Sequence, residues 1–299
     1  MNSAAVIFVL TFSNCILSAV EGRVMAKVVP TVSDIEQIND ILSSYVGKDD
    51  KLALLLDFDG TLAPLASHPD KAEIDPDSEA ALFNLVTNPN IYLAIISGRG
   101  ADNAREKVKI EQITYAGNHG LEIQFNSRSN KTRYQHEIDE KTRQNYNKMV
   151  TELETKLGSN GGWVEDKKQS LTFHYRDVPE IEQPTYKSQA TSIIQSYGFI
   201  ANPAHAAVEA KPPVVWNKGE AALYILRAEF GDDWSNKVKV IFAGDDTTDE
   251  DAMHALKGAG LSFRVSSRPE IETNADYRVP STKTISLILQ WLQDTMNQV

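Results

Sequence analysis

Four short segments, met in chain order, hold the side chains best suited to chemistry. The first is Asp57-Phe58-Asp59-Gly60-Thr61-Leu62, which closes an apolar run. With a side-chain period of two, Asp57 and Asp59 point toward the same side as a strand gives way to loop. Two carboxylates so close cannot both stay ionised without a cation, and a hard divalent ion such as Mg2+ suits their oxygens. Kept ionised in this way, Asp57 is an oxygen nucleophile, and a less engaged Asp59 can hold a proton for a leaving group. The competing reading is a strand end closed by a solvated Asp-Gly turn.

The second segment, Ser97-Gly98-Arg99, follows another apolar run and offers a hydroxyl, free amides and a guanidinium to phosphate oxygens. Lys218, in Trp216-Asn217-Lys218-Gly219-Glu220, stands at an expected helix start, where an ammonium and a helix N-terminus together neutralise a phosphoryl group. The fourth is Gly244-Asp245-Asp246-Thr247-Thr248-Asp249-Glu250-Asp251. Helix capping and the helix dipole explain acids at 249–251, but not Asp245 and Asp246, whose mutual repulsion a divalent cation relieves. Taken singly, Ser-Gly is a common loop and a lone lysine a common surface charge. Their order and joint placement carry the weight.

Something must hold these segments at one edge. Residues 51–58, 91–96 and 238–243 are apolar runs that read as strands buried on both faces, each ending at one of the segments. Helical patterns lie at 77–86, 218–230, 250–257 and 281–296. Strands interleaved with helices favour an α/β fold with a doubly wound parallel sheet, whose ligands bind beyond the carboxyl ends of the strands. The middle differs: a polar helix over 137–157, a hairpin over 163–166 and 170–175, a helix over 185–197, and strands near 199–202 and 206–210. This block reads as an inserted smaller α/β cap domain over 127–213, between core segments 23–126 and 214–299.

Composition narrows the partners. Lys plus Arg number 30 against 41 Asp plus Glu, a net charge of −11 that argues against nucleic acid while leaving a small anionic ligand open. Cys15 is the single cysteine, so there is no disulfide framework and no cysteine-based zinc site. Residues 1–20 carry no charged side chain, and with Ser18 and Ala19 near a cleavage point residues 1–22 resemble a secretory signal peptide, although no Lys or Arg precedes the apolar stretch. The expectation is a secretory location if that leader works and a cytoplasmic one otherwise, with no stable membrane association after cleavage. Asn130-Lys131-Thr132 is a glycosylation triplet. Oligomeric state is open.

Together the four segments resemble the haloacid dehalogenase superfamily of aspartate-nucleophile phosphotransferases, from about residue 50 to about residue 295. The resemblance implies that Asp57 attacks phosphorus and that Asp59 protonates the departing alkoxide and then activates water. It further implies that Ser97 and Lys218 hold phosphoryl oxygens. Mg2+ would be bound by Asp57, the Asp59 carbonyl and Asp245, with Asp246 and Asp249 as outer support.

The substrate is a separate question. Gly117-Asn118-His119-Gly120-Leu121-Glu122, the stretch from Val164 through Arg176 and His205-Ala206-Ala207-Val208-Glu209-Ala210-Lys211 offer paired carboxylates, amides and amines suited to sugar hydroxyls. By composition alone, Glu165-Asp166-Lys167-Lys168 is equally a solvated hairpin tip. As a set these segments resemble the trehalose-6-phosphate phosphatase family. That implies a cap of this kind, a sugar site lined by Arg99, Asn118, His119, Glu165, Lys167 and Glu209, and Mg2+-dependent hydrolysis of trehalose 6-phosphate. Lys211 departs from the arginine common in that family. The alternatives are a phosphatase of another sugar phosphate, such as sucrose phosphate or a phosphoglyceryl sugar, and a non-catalytic secreted carbohydrate-binding protein. The last would be marked by loss of Asp57, Asp59, Lys218 or Asp245, and all four are present.

Overall fold

The computed structural model describes residues 27–297. The leader and its cleavage point lie outside the described residues. In chain order the elements are β1 (Lys27–Val28), α1 (Ile35–Tyr45), β2 (Leu52–Leu56), α2 (Pro76–Leu85), β3 (Ile91–Ile96), α3 (Ala101–Val108), β4 (Thr114–Gly117), β5 (Glu122–Gln124) and β6 (Arg133–Gln135). There follow α4 (Glu140–Leu157), β7 (Trp163–Asp166), β8 (Leu171–His174), α5 (Gln183–Ser196), β9 (Ile200–Ala204), β10 (Ala207–Lys211) and α6 (Lys218–Phe230). The chain ends with β11 (Lys239–Gly244), α7 (Asp249–Ala255), β12 (Leu261–Val265), β13 (Glu272–Thr273), β14 (Tyr277–Val279) and α8 (Thr282–Met296).

The large sheet has the order β14-β12-β11-β2-β3-β4-β5-β6. Its central strands are apolar throughout because both faces are covered. Leu52, Leu54 and Leu56 of β2 join the cluster of α1, α2, α3 and α8, while Ala53 and Leu55 face the cluster of α6 and α7. In β11, Ile241 and Ala243 go to the first cluster, and Val240 and Phe242 to the second. A period of two thus divides each strand between two helical layers.

The sheet is mixed, not wholly parallel as expected. The six strands from β14 to β4 run parallel, but β4 pairs with β5, and β5 with β6, in antiparallel fashion. The cause is connection length: only Asn118–Gly120 and Leu121 separate β4 from β5, far too little for a crossover helix. Asn118, His119 and Gly120 make this reversal with φ of 53°, 58° and 90°. The insertion also begins later than residue 127. Asn126 accepts the amides of Arg128 and Ser129 in a tight turn, and β6 returns to the large sheet with Tyr134 stacked 5.4 Å from Trp216. What read as a linker is a hairpin turn of the core.

The inserted unit is a four-stranded antiparallel sheet, β7-β8-β10-β9, with α4 and α5 on one face. Phe173, Val208 and Ala210 pack with Tyr146, Leu153 and Ile194 on that side. By alternation the other face carries Glu165, Thr172, Glu209 and Asn202, which are register partners in one row across the four strands. Among the described residues no helix is long and apolar enough to cross a membrane.

Candidate active site

Asp57 leaves the carboxyl end of β2, where its amide still donates to the Ala243 carbonyl of the neighbouring strand. Lys218, the first residue of α6, lies buried and its Nζ donates to Asp57 Oδ1 and to Asp249 Oδ1, each at 2.7 Å. The other Asp249 oxygen accepts the amides of Asp245 at 3.1 Å and Asp246 at 2.9 Å, so Asp249 fixes both the ammonium and the acidic loop. Two glycines make room. A Cβ on Gly60, whose φ is +80°, would stand 2.1 Å from Asp245 Oδ2, and one on Gly244 would stand 2.2 Å from Asp249 Cγ.

Ligand atoms of Asp57, Asp245 and Asp249 lie within 4.8 Å of one another. Burial pushes the Asp57 carboxyl well above its usual range, and the charges of Asp249 and Asp245 add to this against the pull of Lys218. Burial, then Asp249, likewise push Asp245 up to about 7. Burial opposes the charge on Lys218, but Asp249 and Asp57 outweigh it and keep the ammonium. Three carboxylates around one ammonium leave excess negative charge in a dry place, which protons or a divalent cation must offset.

Asp59 lies outside this trio of acids but lines the same cavity as Asp57. Strand geometry ends at Leu56, and Phe58 starts a tight turn whose carbonyl accepts the amides of Leu62 and Ala63. Arg99 grips the Asp59 carboxylate, with Nε and Nη2 each at 2.7 Å, and also reaches Asn103 and the Pro69 carbonyl. Arg99, expected against sugar, is thus engaged chiefly by Asp59. Ser97 accepts the Arg99 amide at 3.1 Å and lines the same cavity as Asp57.

A cavity of about 1190 Å³ opens above these groups, lined by Asp57, Asp59, Ser97, Arg99, His119, Lys218 and Asp245 from the core and by Glu165, Lys167 and Glu209 from the cap. Lys167 Nζ donates to the Gly98 carbonyl at 2.9 Å, crossing from cap to core. His119 Nε2 meets Glu209 Oε1 at 2.8 Å. Burial opposes the charge on Glu209, but His119 and the nearby Lys211 and Lys167 hold its carboxyl far below the usual range. Burial lowers His119 against the pull of Glu209, and because an ionised carboxylate only accepts, Nε2 is the donor.

Asn118 does not reach the cavity. It is fully buried, donates to Glu122 and to the Lys167 carbonyl, and accepts the Ser170 hydroxyl at 2.6 Å. Its side chain ties cap to core and does not face the cavity. Sequence reasoning in turn did not single out Thr172 and Asn202 as lining residues. The signal was available, because each is a register partner of Glu209 on an adjacent alternating strand. Of the remaining acids, Glu250 accepts from Thr273 and Asn274 and pairs with Arg264 at 3.5 Å, which accounts for it structurally.

The trehalose-phosphatase family profile matches residues 55–283. Trehalose-phosphate phosphatase B of Arabidopsis thaliana is 30% identical over 279 residues, covering 89% of this chain and 73% of the relative. Probable trehalose-phosphate phosphatase 2 of Oryza sativa subsp. japonica is 30% identical over 268 residues, covering 83% and 69%. Among solved structures, the C-terminal domain of the C. albicans trehalose-6-phosphate phosphatase superposes with a TM-score of 0.72 at 18% identity, covering 90% of this chain and 99% of that one. At that identity the likeness is one of fold.

Proposed function

The chain belongs to the trehalose-phosphatase family, and from that premise we propose that it hydrolyses trehalose 6-phosphate to trehalose and phosphate through a phospho-Asp57 intermediate. The observation that carries the reading is the convergence of Asp57, Lys218 and Asp245 at the floor of a cavity roofed by the polar face of the cap sheet.

The roles follow from what each group can do. Lys218 holds Asp57 by one oxygen, which leaves the other for attack on phosphorus in line with the departing sugar oxygen. Lys218 and the Ser97 hydroxyl then hold phosphoryl oxygens as charge builds on them. Asp59, delivered by the turn that follows β2, gives a proton to the sugar alkoxide. Once ionised, it takes a proton from the water that opens the acyl phosphate, and both changes balance with no added reagent. To serve as acid it must first leave Arg99, so substrate entry and the loosening of that ion pair belong to one event.

The crowding of Asp57, Asp245 and Asp249 fits a hard divalent ion such as Mg2+; Asp57 and Asp245 would hold it, together with the Asp59 main-chain carbonyl that the family resemblance implies. When bound, it supplies positive charge to the phosphoryl oxygens and relieves the repulsion among the acids. Glu165, Lys167 and Glu209 would accept from and donate to sugar hydroxyls, and cap docking through Lys167 and Glu209 excludes water while the site is shut.

Phosphate release from a panel of trehalose 6-phosphate, sucrose 6-phosphate and a small aryl phosphate, with Mg2+, tests the assignment. The reading requires trehalose 6-phosphate to have the highest kcat/KM; a preference for another sugar phosphate would reassign the substrate while leaving the core chemistry in place.

A further inference from the structure

The cap meets the core along two borders. One is the Lys167, Asn118 and Glu209 border already described. At the other, three rings form a column: His68 of the core lies 5.4 Å from Trp163 of β7 with 20° between planes, and Trp163 lies 4.0 Å from His174 of β8 at 15°. Arg176, two residues past His174, donates to the Ser67 carbonyl next to His68. Core and cap thus touch through a flat stack flanked by a polar clasp.

The column leads to Glu165. Trp163 and His174 are direct register partners, so Glu165 is the diagonal neighbour of His174 on the same sheet face, and His174 Nε2 reaches Glu165 Oε2 at 2.9 Å. Burial opposes the charge on Glu165, but the hydrogen bond from His174 and the charge of Lys167 hold its carboxyl below the usual range. An ionised carboxylate only accepts, so Nε2 carries the proton and His174 is the donor. His68, His174 and Glu165 line the cavity, whereas Trp163 does not. The tryptophan therefore sits beside the site, between a core ring and the histidine bonded to a cap carboxylate.

We propose that the His68–Trp163–His174 stack is a positioning device that aims Glu165 at a sugar hydroxyl only when the cap is docked on the core. It makes recognition of a disaccharide phosphate depend on closure. A small aryl phosphate, which reaches Asp57 without spanning the cavity, does not need it. The inference rests on the sugar-phosphate reading above and adds Trp163 and His174 to it as residues that act through Glu165.

The test compares Trp163→Leu, which removes the flat ring, with Trp163→Phe, which keeps one, on trehalose 6-phosphate and p-nitrophenyl phosphate. The expected result for Trp163→Leu is a loss of about 10-fold in kcat/KM on the disaccharide phosphate, mostly in KM, as befits a misaimed hydrogen bond to a charged group. Hydrolysis of p-nitrophenyl phosphate stays within about twofold, and Trp163→Phe recovers most of the loss. His174→Gln, which keeps a donor, should retain more disaccharide activity than His174→Ala. Equal losses on both substrates, or no loss on either, overturn the proposal. If Trp163→Leu does not fold, His68→Leu breaks the same stack from the core side, with the same outcomes read. The reference is whichever sugar phosphate the wild type prefers, so failure of the trehalose assignment shows in the wild type and failure of the stack only in the variants. A wild type that cleaves no sugar phosphate overturns both.

Discussion

At Gly60 the backbone has turned to a φ of +80°, and the direction a side chain would take is filled by the Asp245 carboxylate. Gly60→Ala therefore combines a left-handed strain of about 1–3 kcal/mol with displacement of Asp245. An ångström-scale shift of a reacting constellation costs about 100-fold in rate. Steady-state kinetics and a thermal melt should show phosphatase activity falling far more than stability; unchanged kcat would mean that Asp245 is not part of the machinery. Asp57, Lys218 and Asp245 were readable in the sequence because residue type and placement at strand or helix ends agree. The grip of Arg99 on Asp59 was not, because it joins residues 40 positions apart in sequence and only the three-dimensional path brings them together. Asn118 misled because an amide suits sugar, but here it is buried away from the cavity and bonds Glu122, Lys167 and Ser170.

At the level of elements, the cap sheet sorts its side chains by parity. Glu165, Thr172, Glu209 and Asn202 form a row facing the cavity, and Val164, Phe173 and Val208 turn to α4 and α5. Glu209 has two tasks in that row, since it lines the cavity and bonds His119 of the core. Glu209→Ala should lower kcat/KM for trehalose 6-phosphate by about 10- to 100-fold while a small aryl phosphate is cleaved within a few-fold of wild type. Equal losses on the two substrates would deny the cap sheet a part in selection. The hairpin and helices of this unit were legible because alternation and helical spacing are local signals. Its lower border was not: Asn126 to Lys131 has the polarity of a linker, and the pairing of β6 with β5 is a long-range fact that local polarity cannot encode.

The whole molecule carries a net charge of −11, and Asp57, Asp245 and Asp249 crowd together where the first two line its cavity. Asp245 has a folded-state pKa raised to about 7, above the ordinary carboxylate value. Such a group favours the folded state at low pH, and that contribution is lost as pH rises through neutrality. A divalent cation relieves this cost, and it competes with protons for the same oxygens. Saturating Mg2+ should therefore raise the melting temperature by about 5–10 °C at pH 8 and clearly less at pH 5. A shift independent of pH would place the ion elsewhere. The two-layer wrapping of the large sheet was readable from its uniformly apolar strands; the antiparallel β5 and β6 were not, because three-residue strands carry too little pattern. The most direct measurement is phosphate release from trehalose 6-phosphate with Mg2+ by wild type and by Asp57→Asn, a substitution that keeps shape and removes the attacking charge. The account predicts turnover by the wild type and none above background by the variant; an Asp57→Asn protein working near the wild-type rate would contradict it.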